Sequence, residues 1–430
     1  MAVEEIRNWI GVHRESILDT NKRLVGIPSE NQYPYGSELL VQLEINRQLQ
    51  QLGFQTDVFL PTDVPDLKMH EAFLDDGRNY QNRPNVVGVL KGSGEGKSLL
   101  FSGHMDTVPK GSDTWTQDPY AGEVVGDVQY GLGILDMKSG MVAAMTAVKC
   151  LRDLNYRIKG DVIIESVVDE EYGGANGTLA CRLRGYRADA AIIPEPSNLA
   201  ICPAAQGGSY FRITFQGRPG RSYSGEKTVN PIFAAARFLE IVRQYHEWRN
   251  KHANVHPLYM NNPELPTLVQ VLRAGDVNLE LGDRVPSSCS FDVWIQCYPG
   301  VTEEELYAEF TGFFQPLVEQ DEILSAIPPV IEKKVRFLPG TGLPEDHPIL
   351  GVLANVGTES VPGGLPIQGA PFACDSFMFN RYSTTPAVIF GPSGGNAHAP
   401  DEFIHIPDFL KLIEIYALTI MKWCEADKKP

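Results

Sequence analysis

Five short islands of His, Asp and Glu hold the residues of this chain best suited to chemistry. They are Ser102-Gly103-His104-Met105-Asp106, Gly133-Ile134-Leu135-Asp136-Met137-Lys138, Asp169-Glu170-Glu171, Pro194-Glu195-Pro196 and Asn396-Ala397-His398-Ala399-Pro400. Each sets an ionisable side chain where an apolar run ends, which is where an α/β sheet usually keeps its chemistry. His104 and Asp106 stand two positions apart on or just past a strand, so their side chains point the same way. A neutral imidazole is a good ligand for zinc, manganese or cobalt. A carboxylate two residues away is suited to orient that imidazole through its other nitrogen. Asp136 lies between a glycine-rich stretch and a helix start, free to approach a metal closely, and one carboxylate can bridge two ions about 3.5–4 Å apart. Glu170 and Glu171 diverge from a strand end, so one can bind metal while the other faces the water. Glu195 and His398 supply one further ligand each. Any island alone reads as a capped turn or a solvated loop. All five in order argue for a two-metal hydrolase.

The elements that must position these residues follow from the apolar pattern. Residues 3–25 and 36–52 read as helices, the first with Ile6, Trp9, Ile10, Ile17 and Leu18 on one stripe. Residues 56–60 form a short strand, and 61–84, rich in Pro, Asp and Asn, a long loop. Runs of strand length at 85–90 and 98–102 come next, the second leading straight into His104. The helix over 137–154 carries Gly140, Ala143, Ala144 and Ala147 on one side and should pack closely on a sheet. Strands at 161–168 and 188–193 deliver Asp169-Glu170-Glu171 and Glu195. This alternation indicates an α/β layer. After Gln206-Gly207-Gly208 the texture changes: half-exposed strands at 210–216, 267–274 and 288–296 are interleaved with helices at 231–249 and 301–319. The last of these opens on a Thr302…Glu305 capping box. No ligand-like island falls inside this stretch, which reads as an inserted α+β domain at 208–321. Residues 1–207 and 322–430, with a strand at 387–390 and a last helix at 407–426, make up the catalytic domain.

The bulk properties set limits. A chain of 430 residues is too long for one ordinary core. Its net charge of −17 disfavours nucleic acid and anionic membranes as partners. Seven scattered cysteines with no CxxC pair suit a reduced, cytoplasmic setting. The N-terminus lacks the apolar segment of a signal peptide, and no run of about 18 apolar residues exists to span a membrane. His246, His252 and His256 read as a solvated face near the end of a helix. His13, His70, His347 and His405 have no partner pattern, and Gly363-Gly364 is not followed by a phosphate-loop Lys-Ser/Thr.

The SGHMDTVP, GLGILDMKSG, DEE, EP and AHAPDE islands together resemble the M20 metallopeptidase family of di-metal hydrolases, which includes deacetylases, desuccinylases and carboxypeptidases. The resemblance covers nearly the whole chain. It implies a metallopeptidase-type catalytic domain, a mixed central sheet flanked by helices, with an inserted lid that commonly carries the dimer contact. It implies that His104 and Glu195 bind the first metal, Glu171 and His398 the second, and that Asp136 bridges them and is followed by a cis peptide. Asp106 would orient His104, and Glu170 would be the general base. Zinc is the usual metal, with manganese or cobalt as substitutes.

The lid departs from the family pattern. Arg221, in Gly217-Arg218-Pro219-Gly220-Arg221-Ser222, stands where a His is expected. Asp283-Arg284-Val285-Pro286 replaces an Asn-x-Val-Pro segment, Gln296 an Arg, and Gly131-Leu132-Gly133 a Gly-Arg-Gly. Arginine is always charged and forks two donors at a carboxylate, but it cannot shuttle protons as His can. Arg221 and Arg284 are therefore candidate contacts for a small carboxylate-bearing substrate. The reading favoured is hydrolysis of an amide C–N bond, as by an N-acyl amino acid deacylase or short-peptide hydrolase. The alternative is an aminohydrolase releasing ammonia from a carboxylated, aromatic amine such as a nitroanthranilate. A binding homologue with a dead site ranks last, since every proposed ligand and the base are present.

Overall fold

The computed structural model describes residues 2–428 apart from 174, 222–224, 226, 276–281 and 283. They divide into two units, one of Met1–Ala204, Gly342–Ala370 and Cys374–Pro430, the other of Ala205–Thr341 and Pro371–Ala373.

The first unit is built on a six-stranded mixed sheet. From one edge its strands run Ala387–Ile389, Ala190–Ile193, Leu99–His104, Val162–Val167, Asn85–Leu90 and Gln55–Phe59. The first four are parallel and the last two antiparallel to their neighbours. Every residue of Leu99–His104 and Val162–Val167 is buried, as expected of parallel strands covered on both faces. The register sets His104 beside Val167, so the His104 island and the Asp169 island leave the sheet at the same end. Helices flank the sheet. The Ala2–Val25, Ser139–Asp153 and Ile406–Trp423 helices pack together over a core that includes Phe101, Val142 and Leu412. The small side of Ser139–Asp153 packs as its composition predicts: a Cβ on Gly140 would collide with the Pro194 carbonyl oxygen, just before Glu195.

The second unit has a four-stranded antiparallel sheet in the order Thr267–Ala274, Ser288–Cys297, Gly207–Gln216, Val330–Lys333. Phe215, Phe238, Phe291 and Phe310 fill its core. The Thr302…Glu305 capping box opens the Glu303–Gln320 helix, with Glu305 N–H on Thr302 Oγ1 at 3.2 Å. The insertion was expected to close at 321. The unit instead runs on to Thr341, because Val330–Lys333 returns to pair with Gly207–Gln216, Arg212 opposite Glu332. No helix of the described residues is long and apolar enough to cross a membrane.

Candidate metal centre

His104 closes its strand, buried, with three carboxylates around its outer nitrogen. Nε2 lies 3.1 Å from Asp136 Oδ1, 3.6 Å from Glu195 Oε1 and 3.8 Å from Glu170 Oε2. The second imidazole, His398, stands on a loop at φ +59° and is half-exposed. Its Nε2 is 2.9 Å from Glu171 Oε2 and 3.2 Å from Asp136 Oδ2. Asp136 thus offers one oxygen to each imidazole. The peptide after it, to Met137, is cis. The structure brings together six of the side chains singled out in the sequence: His104, Asp136, Glu170, Glu171, Glu195 and His398.

Asp106 is placed differently from its expected role. His104 Nδ1 meets the backbone carbonyl of Asp106 at 2.8 Å, while the Asp106 carboxylate is 3.7 Å away. With Nδ1–H donated to that carbonyl, Nε2 is the nitrogen that faces the cluster, and it offers a lone pair once its own proton is gone. The Asp106 carboxylate instead accepts the amides of Glu170 (3.0 Å) and Glu171 (3.1 Å) and the side-chain amide of Asn31 (2.9 Å). It shapes the turn that presents the two glutamates.

Burial and mutual repulsion dominate the electrostatics. Burial, joined by the charges of Asp375, Glu195 and Glu171, holds the Glu170 carboxyl well above the usual range, against the pull of His104. Burial and Asp136 do the same to Glu195. Burial opposes a charge on His104, but Asp136, Glu170 and Glu195 carry it well above an ordinary histidine. Asp136 alone is held low: burial would raise it, but hydrogen bonds from His104 and His398 win. Such a crowd of acids around two imidazoles calls for positive charge. Oxygen and nitrogen donors of His104, Asp136 and Glu171 lie within 4.8 Å of one another, as do those of His104, Glu170 and Glu195. Mixed imidazole and carboxylate sets of this kind suit zinc and related divalent ions, so the residues fit a metal.

The residues that hold Asp169 in place, and Asp375, were not legible as such. Asp169, at φ +67°, receives Arg78 Nη1 and Tyr80 OH, each at 2.6 Å. Arg83 reaches Asp169 at 3.4 Å and Glu38 at 2.6 Å. These three partners come from the 61–84 stretch, read from the sequence only as a loop. Asp375, buried, accepts the Thr178 hydroxyl and acts on Glu170. It had no strand-end signal.

Arg221 and Arg284 belong to the second unit and are exposed. An antiparallel bridge between Gly220 and Val285 sets the two arginines at opposed backbone positions. Ser222 and Asp283 of the same segments lie outside the described residues. Gln296 is buried in that unit, donating to Gln206 Oε1 (2.9 Å) and the Pro371 carbonyl (2.8 Å).

Comparison with known proteins identifies the family. The model of peptidase family M20/M25/M40 matches residues 100–422. Across 99% of both chains, the sequence is 28% identical to N-formyl-4-amino-5-aminomethyl-2-methylpyrimidine deformylase of Bacillus subtilis. It is 26% identical to acetylornithine deacetylase of Proteus mirabilis, over 96% of this chain and 98% of that one. Among solved structures, human carnosine dipeptidase 1 shares the fold with a TM-score of 0.74 at 16% identity, covering 98% of this chain and 100% of the other. The chain belongs to the M20/M25/M40 peptidase family. It is a hydrolase acting on carbon–nitrogen bonds.

Proposed function

We propose that this hydrolase is a two-metal amidohydrolase that removes a small acyl group from an amine on a small, carboxylate-bearing molecule. One observation carries the reading: Asp136 turns one oxygen to His104 and the other to His398, at 3.1 and 3.2 Å. His104 and Glu195 would hold one ion, Glu171 and His398 the other, with Asp136 between them. Zinc is the first choice of metal, with manganese or cobalt able to replace it. When bound, the pair supplies Lewis-acid polarisation and lowers the pKa of a water. The chain's own residues do the rest. Glu170 takes the proton of the attacking water and delivers it to the leaving nitrogen, a transfer that suits a carboxyl whose proton affinity burial has raised. Asp106 fixes both glutamates through their amides. The opposed Arg221 and Arg284 would receive the substrate carboxylate as a pair of forked donors. Two relatives are by name a deformylase and a deacetylase, which favours a short acyl group. A cytoplasmic homodimer formed through the second unit completes the proposal.

The test is product analysis on a panel of N-formyl, N-acetyl and N-aminoacyl substrates. The expected products are the acyl acid and the free amine, lost on chelation and restored by zinc, manganese or cobalt. Ammonia without any acyl acid would overturn the reading in favour of an aminohydrolase. Full activity in metal-free protein would overturn it too.

A further inference from the structure

Two acidic residues follow His398 in its own loop and have so far been given no role: Asp401 and Glu402. Glu402 is buried. Its Oε2 accepts the Gly133 amide at 2.8 Å, and its Oε1 accepts the amides of Leu135 at 2.7 Å and Asp136 at 3.0 Å. Its backbone carbonyl takes the Gly131 amide at 2.9 Å. One carboxylate thus collects three N–H groups from the turn that presents Asp136. The turn has little freedom on its other side. Gly133 sits at φ +72°, and a Cβ there would collide with Thr107 Cγ2, next to the His104 island.

Asp401 reaches the other way. Its Oδ1 accepts the amides of Thr116 (2.8 Å) and Gln117 (2.9 Å), and its Oδ2 the Thr116 hydroxyl (2.7 Å). These residues lie on the loop that follows His104 and Asp106. Asp401 itself is at φ +59°, and Asn396 closes the loop on its carbonyl at 3.2 Å. Two adjacent carboxylates therefore tie the His398 loop to the segments that carry Asp136 and His104.

We infer that Asp401 and Glu402 are positioning residues for the metal pair: Glu402 sets the Asp136 turn, and Asp401 anchors the loop that holds His398. The inference rests on the two-metal reading. The spacing of the ligands is then set by loop-to-loop bonds, and it survives only while both carboxylates are in place. Neither residue touches the reacting atoms.

The experiment titrates zinc alone, then manganese alone, into the chelator-stripped full-length chain by calorimetry, for the unaltered protein, Glu402→Gln and Asp401→Asn. Gln keeps one acceptor oxygen but turns an NH2 group against an amide N–H. Outer partners of metal ligands typically contribute about 10–100-fold in affinity. We expect Glu402→Gln to weaken at least one metal by that factor, with kcat recovering in excess metal and KM unchanged. Asp401→Asn should weaken one metal more modestly. A folded Glu402→Gln with the isotherm of the unaltered chain overturns the inference, even if its melting temperature is lower. If Glu402→Gln does not fold, Asp401→Asn decides: weakened binding supports the anchor, an unchanged isotherm overturns it. No binding by the unaltered chain would overturn the two-metal reading itself, and the inference with it.

Discussion

Glu170 and Glu195 stand at nearly the same distance from the His104 imidazole, 3.8 and 3.6 Å, so proximity alone assigns neither the metal nor the proton. Their surroundings separate them. Glu195 is coupled first, after burial, to Asp136, the carboxylate between the two imidazoles. Glu170, after burial, answers first to His104 and then to Asp375, and its backbone amide is pinned by Asp106. The proposed assignment gives Glu195 a cation shared with Asp136 and gives Glu170 the proton. Removing the proton acceptor while keeping the side-chain shape isolates the two roles. Glu170→Gln should retain both metals by elemental mass spectrometry and lose about 10²–10⁴-fold in kcat, the usual worth of a general base. Glu195→Gln should lose metal along with activity. The reverse pattern would exchange the two assignments.

At the scale of elements, most of the clustered side chains were legible because each sits at a local boundary. His104 ends Leu99–His104, Glu195 follows Ala190–Ile193, and the island bearing Glu170 and Glu171 follows Val162–Val167, so the end of an apolar run marks each one. What stayed hidden depends on partners far away in the chain. Arg78 meets Asp169 across 91 positions, and Glu402 meets Gly133 across 269. No local pattern encodes such pairs. The same holds for the end of the second unit, where a short strand after a Pro-rich stretch pairs back to Gly207–Gln216. Spacing also misled at Asp106, since the strand ends at His104 and it is the backbone carbonyl two positions on that meets the ring. The small face of Ser139–Asp153 was legible, and it has a consequence. Gly140 lies against Pro194, whose Cβ would be 2.6 Å from an added methyl, with the carbonyl oxygen closer still. Alanine in a helix interior normally gains about 0.5–1 kcal/mol over glycine. Here overpacking costs about 1–3 kcal/mol and pushes on the segment bearing Glu195. Gly140→Ala should lower the melting temperature and the metal content. Gly351→Ala, in the Pro348–Ser360 helix with nothing within 4 Å of the new methyl, should not. Equal melting curves for the two variants would show that this helix is not seated on the Glu195 segment as described.

For the molecule as a whole, the cluster makes stability depend on what neutralises it. Without metal, protons must do so. Burial raises the Glu170, Glu195 and Glu171 carboxyls above their ordinary values. A carboxyl raised on folding contributes stability below its unfolded pKa, and that contribution is lost as pH climbs toward the folded value. The histidines act in the same direction. His398, lifted chiefly by Glu171, and His104, lifted by Asp136, Glu170 and Glu195 against burial, stabilise the fold below about pH 6.5. Their contribution also declines as pH rises. Asp136, held low by the two imidazoles, runs the other way, but its contribution is complete above the ordinary aspartate range and adds no slope at neutral pH. Bound cations replace these protons, and they bind better as the ligands deprotonate. A metal at 100 times its Kd adds about 2.7 kcal/mol to the folded state. The chelator-stripped chain should therefore lose melting temperature steadily from about pH 6 to pH 9, while the metal-loaded chain changes little. The gap between the two curves should widen with pH. Differential scanning calorimetry of both forms across that range decides the matter: a stripped protein that grows more stable with pH would mean that the acids of this cluster are not held together as the geometry requires.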